Sequence, residues 1–240
     1  MPVPPTDVLV VLTCAVFLGA FVQGSVGLGL GLIAAPAAAF VDPSLLPGMM
    51  LWLSAALPVF GVWREWRHVD WRGLSWTLTG RFAAVLPGAL IVAAVSGRLL
   101  GLMVGVLVLV SVALTATVVT VPKLRSTLLG AGVISGITGT ATSIGGPPVA
   151  LIYQRESGPV VRATLAAYFV AGTVMSMIAL AVTDQLTMKQ LSTAVWLIPA
   201  LAAGFGLAVL TRDRLDGQWI RVWVLVVCAS SAVALIVRSL

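Results

Sequence analysis

The chain has 240 residues, 60% of them apolar and 9% charged, with a mean hydropathy of +1.10. A water-soluble domain carries about a quarter of its residues as charges, so the composition excludes one and predicts an all-α integral membrane protein. The formal charge of +6 comes from Lys and Arg set singly at the ends of apolar blocks, which reads as topology signalling and not as a nucleic-acid surface.

Met1 to Asp7 holds no Lys or Arg ahead of the first apolar run, so the first segment is expected to stay in the mature protein. Apolar blocks then follow at 8–41, 45–63, 77–96, 99–121, 127–153, 164–183, 192–211 and 220–238. The first is too long for one span: as a single helix it would reach about 51 Å against a hydrocarbon core of about 30 Å. It carries a place to turn, Gln23-Gly24-Ser25-Val26-Gly27-Leu28-Gly29-Leu30-Gly31, and the block 127–153 is interrupted in the same way from Ser135 to Gly146. Gly24 and Gly136, Gly27 and Gly139, and Pro36 and Pro148 are each 112 residues apart. The expectation is two repeats, 1–121 and 122–240, each a broken-helix hairpin followed by three transmembrane helices.

Lys and Arg gather on the cytoplasmic side of membrane proteins, which decides how the repeats are oriented. If both broken blocks return to the side they came from, eleven cations (Arg64, Arg67, Arg72, Arg81, Lys123, Arg125, Arg155, Arg162, Arg212, Arg214 and Arg221) fall inside and three (Arg98, Lys189 and Arg238) outside. If each block crosses once, the division is eight to six. The hairpin arrangement is favoured, and because each repeat then makes an odd number of crossings, the halves are inverted. Trp63, Trp66, Trp71, Trp76, Trp219 and Trp223 collect at the same boundary as an interfacial belt.

Inverted repeats with discontinuous helices place substrate near the midplane, where the breaks meet. In Ser143-Ile144-Gly145-Gly146-Pro147-Pro148 the glycines allow a sharp reversal and the prolines suit the first turn of a new helix. A helix opening there presents unpaired amides and the positive end of its dipole, a combination that binds anions. The break with Gly24, Gly27 and Gly29 supplies a second helix start, with Gln23 and Ser25 as side-chain donors. Thr138, Thr140, Thr142 and Ser143, beside Gly139, Gly145, Gly146 and Pro147, add uncharged donors. A small tetrahedral or pyramidal oxyanion fits this set, although glycines at such spacing also serve helix packing.

The acids Asp7, Asp42, Glu65, Asp70, Glu156, Asp184, Asp213 and Asp216 all fall in or beside predicted loops. Carboxylates within spans mark many proton relays and cation sites, so a cation substrate is not expected. His68, in the Arg-rich loop, and Cys14 and Cys228, inside apolar blocks, make no metal set, and no cofactor or catalytic pairing is read. Arg162, just before 164–183, is either a topology anchor or an anion attractor at the site's mouth.

The runs Gly136-Ile137-Thr138-Gly139 and Ile144-Gly145-Gly146-Pro147-Pro148, with Arg162-Ala163-Thr164, His68-Val69-Asp70-Trp71 and the first segment ending at Pro36, resemble the TauE/SafE family of membrane proteins, the sulfite exporter family. The resemblance implies an inner-membrane exporter of sulfite, an organosulfonate or a related sulfur anion. Where the family often has a Thr-Ser pair after the first hairpin, this chain has Leu51-Trp52-Leu53-Ser54, which implies a narrower first half-site. The expected partners are a small anion and the lipid bilayer, with pairing into a homodimer left open. An anion channel and a non-transporting partner of a larger complex remain the alternatives to a carrier.

Overall fold

The computed structural model describes residues 5–55, 66–116, 121–211 and 217–239. The first half runs Thr6–Val26 (α1), Leu30–Val41 (α2), a helix whose described part is 48–55 (α3), Trp71–Ala94 (α4) and Gly97–Ala116 (α5). The second runs Arg125–Thr142 (α6), Gly146–Tyr153 (α7), Gly158–Val182 (α8), Met188–Thr211 (α9) and Gly217–Ser239 (α10). Among the described residues there is no strand. Among the described residues, five helices, from α1, α4, α5, α8 and α9, are long and apolar enough to cross a membrane. Their outward faces are apolar as well: Phe82, Ile178 and Leu210 are 73%, 60% and 77% exposed, a surface suited to acyl chains.

With 12 and 8 residues, α2 and α7 reach only about 18 and about 12 Å, well short of a span. Each folds back on the helix before it. Leu30 lies against Gly19, and Gly29 against Val22, so α2 returns along α1. Gly145 lies against Gly139, and its carbonyl accepts the Ser135 hydroxyl, so α7 returns along α6. Gly27 ends α1 in the left-handed region at φ 87°, and Ser143 ends α6 there at φ 64°. That conformation costs a residue with a Cβ about 1 kcal/mol, and the Ser143 hydroxyl bonds across the site to the Pro47 carbonyl at 3.1 Å.

These turn residues give the correspondence between the breaks. Gly27 with Ser143, and Gly29 with Gly145, are 116 residues apart. The 112-residue spacing read from the glycines is therefore about one turn out of step with the chain reversals. It sets the turn residue Gly27 against Gly139, which lies inside α6.

Two helices also begin earlier than their hydropathy indicates. Asp70 caps α4 by accepting the Gly73 amide at 3.1 Å, so the helix starts at Trp71 and not near 77. Arg81 thereby moves from the cytoplasmic boundary to the eleventh position of a transmembrane helix. Pro159 sits in the first turn of α8, which starts at Gly158 and takes Arg162 into its second turn. The expected helix 45–63 lies partly outside the described residues, as do Arg64, Arg212 and Arg214 of the charge pattern.

Small residues let the long helices approach closely. A Cβ on Gly132 would lie 2.1 Å from the Thr77 carbonyl oxygen, and one on Gly80 would lie 2.2 Å from that of Leu129. Thr77 beside Gly132, Ala84 beside Gly136 and Gly88 beside Thr140 make α4 and α6 parallel, and α8 joins them in the same direction through Asp70 with Thr164 and Arg81 with Ser176. Phe17 beside Gly204 and Gly24 beside Ala208 make α1 parallel to α9. Gly101 beside Leu235 and Gly105 beside Ala232 make α5 antiparallel to α10. Thus the first helix of each hairpin packs on the second helix after the other hairpin.

Candidate functional site

The two reversals meet near the centre of the fold. A Cβ on Gly31, at the start of α2, would lie 2.7 Å from the Ser143 carbonyl oxygen, and one on Gly146, opening α7, would lie 2.1 Å from the Leu28 side chain. Leu28 is the middle residue of the first turn and Ile144 that of the second; each lies against the other hairpin's short helix. Between them is a cavity offering about 40 Å³ to the centres of water-sized particles, room for about three waters or a small oxyanion.

Its polar wall comes from Gln23, Ser54, Arg81, Ser143 and Thr173 with the backbone of Gly29, Gly31, Gly139, Gly145 and Gly146. Leu28, Leu32, Leu51, Ile144, Pro147 and Phe169 form the apolar wall. Neither short helix has a side-chain cap from its own N-cap glycine. At α2 the gap is filled in part by Gln23, whose side-chain carbonyl accepts the Leu30 amide at 3.1 Å. That leaves the NH₂ of Gln23 as its donor group. At α7 no protein acceptor is found among the described residues for the Gly145 or Gly146 amides. Pro147 and Pro148, next in line, have no amide hydrogen to present.

Of the residues read from the sequence, Gln23, Gly29, Gly139, Ser143, Gly145, Gly146 and Pro147 are brought together on the cavity wall. The others lie behind it. Gly24 packs on Phe205 and Ala208 of α9, and the Ser25 hydroxyl donates to the Phe21 carbonyl within its own helix. Thr140 shares a 2.8 Å hydrogen bond with Ser176. Thr142 donates to the Thr138 carbonyl and receives the Ile144 amide, bracing the turn, while the Thr138 hydroxyl is buried without a partner. Gly27 carries the left-handed turn and meets Arg162, whose side chain crosses the tip of the first hairpin.

Arg81 was not among the residues the sequence singled out, and it is the cavity's charge. It is 3% exposed. One terminal nitrogen donates to the Tyr168 hydroxyl at 2.9 Å and to Ser135; the other donates to the Gly172 carbonyl at 3.1 Å and the Ser176 hydroxyl at 2.9 Å. Its Nε has no partner among the described residues. The Tyr168 hydroxyl donates to Ser135, whose hydroxyl donates to the Gly145 carbonyl, so the guanidinium is tied through two side chains to the N-terminus of α7. Every acceptor is neutral, and among the described residues no carboxylate pairs with Arg81. The signal that could have found it is position: with Asp70 taken as an N-cap, Arg81 is three turns into a span.

Charged clusters stand where the hairpins end. Asp42, after α2, pairs with Lys189 at 2.5 Å, and Gln190 donates to the Ser44 carbonyl at 3.1 Å. Asp70 accepts Lys123 at 2.9 Å and the Tyr153 hydroxyl at 3.0 Å, and Lys123 also reaches Glu156 at 2.8 Å. Burial opposes ionisation of Asp70, but the bonds from Lys123, the Gly73 amide and Tyr153 outweigh it and hold the carboxyl below its ordinary range. Asp42 is lowered in the same way, with burial outweighed by Lys189 and Ser44.

Apolar spans around a small cavity with a polar and an apolar wall, at two broken helices, define a multi-pass membrane protein of the transporter class. The family model for Sulfite exporter TauE/SafE matches residues 12–235, and the chain belongs to that family. This is a family of membrane transporters and not of enzymes. No curated protein and no solved structure matches the chain.

Proposed function

We propose that the protein is a secondary transporter, an exporter in the inner membrane, that carries a small sulfur oxyanion or sulfonate by alternating access. The observation that carries this reading is Arg81, a buried cation on the cavity wall whose partners among the described residues are all neutral. A charge taken out of water is costly unless it is compensated, and the hydrogen bonds to neutral acceptors stabilise its position without cancelling its charge. An anion entering the cavity supplies that charge. The Gly145 and Gly146 amides and the Gln23 side chain would supply directed donors to its oxygens, with Ser143 and the Gly27 turn shaping the approach.

The inverted arrangement is part of the proposal. If α1 runs one way, α9 runs with it, α8 and its parallel partners α4 and α6 run the other way, and the hairpin of α6 and α7 enters from the face opposite that of α1 and α2. The two charged clusters would then close opposite faces, Asp42 with Lys189 on one and Asp70 with Lys123 on the other. Opening them in turn would expose the cavity to each side.

Counter-flow of labelled sulfite in proteoliposomes tests the reading. A carrier shows saturable uptake that internal unlabelled sulfite accelerates. Flux without counter-flow would indicate an anion channel, and absence of flux with sulfite and sulfonates would return the protein to a non-transporting role.

A further inference from the structure

We infer that the site selects its ligand by charge number, accepting monoanions such as hydrogensulfite or a monosulfonate and discriminating against dianions such as sulfate and fully deprotonated sulfite. The inference deepens the transporter reading and rests on it.

Among the described residues, the charge on the cavity wall is one unit. Arg81 is the only charged side chain among the described residues that line it. The helix ends add direction but little net charge, because each break brings the negative C-terminus of one helix against the positive N-terminus of the next. Gly27 closes α1 two residues before Gly29 opens α2, and Ser143 closes α6 two residues before Gly145 opens α7. Each positive end of about half a charge is thus offset by a negative end of about the same size.

Among the described residues, the other half adds no second cation to the cavity wall. Ala84 on Gly136 in one half corresponds to Gly204 on Ala20 in the other, and at that register the place of Arg81 is taken by Leu201, which is 2% exposed. A monoanion therefore neutralises the site, whereas a dianion leaves a full negative charge among Leu28, Leu32, Ile144 and Phe169. Uncompensated charge beside these apolar side chains is costly.

The groups facing Arg81 do not alter this balance. From α6 they are Ser135 and Gly139, and from α8 they are Tyr168, Gly172 and Ser176; Tyr168 is the one titratable group among them. Sulfite itself takes up a proton near neutrality, so the ligand and not the protein is expected to set the pH dependence.

The test is competition against labelled sulfite on the purified full-length protein in detergent, at mildly acidic and mildly alkaline pH. Methanesulfonate, a monoanion at both, controls for any titration of the protein. The expected result is displacement by methanesulfonate with equal affinity at both pH values and by sulfate about tenfold or more weakly at both. Apparent sulfite affinity should fall with rising pH in step with the hydrogensulfite fraction. Sulfate competing as well as methanesulfonate, or sulfite binding more tightly at alkaline pH, would overturn charge selection while leaving a binding site and the transporter reading in place. If none of these anions binds, both readings fall together.

Discussion

Arg81 and Phe82 are neighbours with opposite surroundings, 3% and 73% exposed. One turns into the helix cluster and the other toward lipid, the arrangement a membrane imposes and the reverse of the rule for water-soluble proteins. Arg81 was read as a boundary charge because Trp71 to Trp76 is rich in tryptophan and polar residues, a composition that also suits an interfacial loop. The Tyr168, Ser135 and Ser176 hydroxyls that receive the guanidinium come from distant sequence, so its role depends on tertiary structure. Gly146 was legible, since a glycine before two prolines marks a helix start. Its tight surroundings give the first prediction: Gly146→Leu should insert in the membrane at near-normal yield but lose essentially all counter-flow, because its Cβ would already lie 2.1 Å from Leu28 and 2.8 Å from Phe169. Normal flux in that variant would place the anion elsewhere.

At the scale of elements, the hairpins and most spans follow from the sequence, while helix starts depend on caps that hydropathy does not weigh. Asp70 both caps α4 and receives Lys123 and Tyr153 from the second half. Asp70→Ala is expected to destabilise the purified protein by about 1–2 kcal/mol, read as a lower thermal midpoint in detergent. The pH dependence has a definite sign. The folded carboxyl is lowered from 3.8, so its contribution is present above that value and is lost as pH falls through the lower folded value. Acid should therefore narrow the gap between wild type and Asp70→Ala. A second test concerns the contact of α4 with α6: Gly132→Leu, which meets the Thr77 carbonyl, should greatly reduce the yield of folded protein, measured by gel filtration. The two broken hairpins were legible in the sequence but the spacing of their turns was not, because glycines used for packing, such as Gly136 against Ala84, obscure the residues used for turning.

For the whole molecule, the exchange of partners between halves, α1 on α9 and α6 on α4, sets two hairpins around a cavity whose charged side chain, among the described residues, is Arg81. Composition made the membrane character plain, and the Gly-rich breaks located the cavity; the unequal charge of the two halves was not legible, because it rests on Arg81 and Leu201 reaching corresponding places. The inverted topology predicts that cysteines introduced at Glu156 and Asp184 are labelled by an impermeant thiol reagent from opposite faces of oriented vesicles. The background thiols of Cys14 and Cys228 would first be removed. The most direct test of the central claim is sulfite counter-flow by Arg81→Gln and Arg81→Lys beside wild type. If the buried guanidinium is the countercharge of the transported anion, Arg81→Gln should lose about a hundredfold or more in rate and Arg81→Lys should recover part of it, with both proteins folded by gel filtration. Wild-type rates in folded Arg81→Gln would contradict the account.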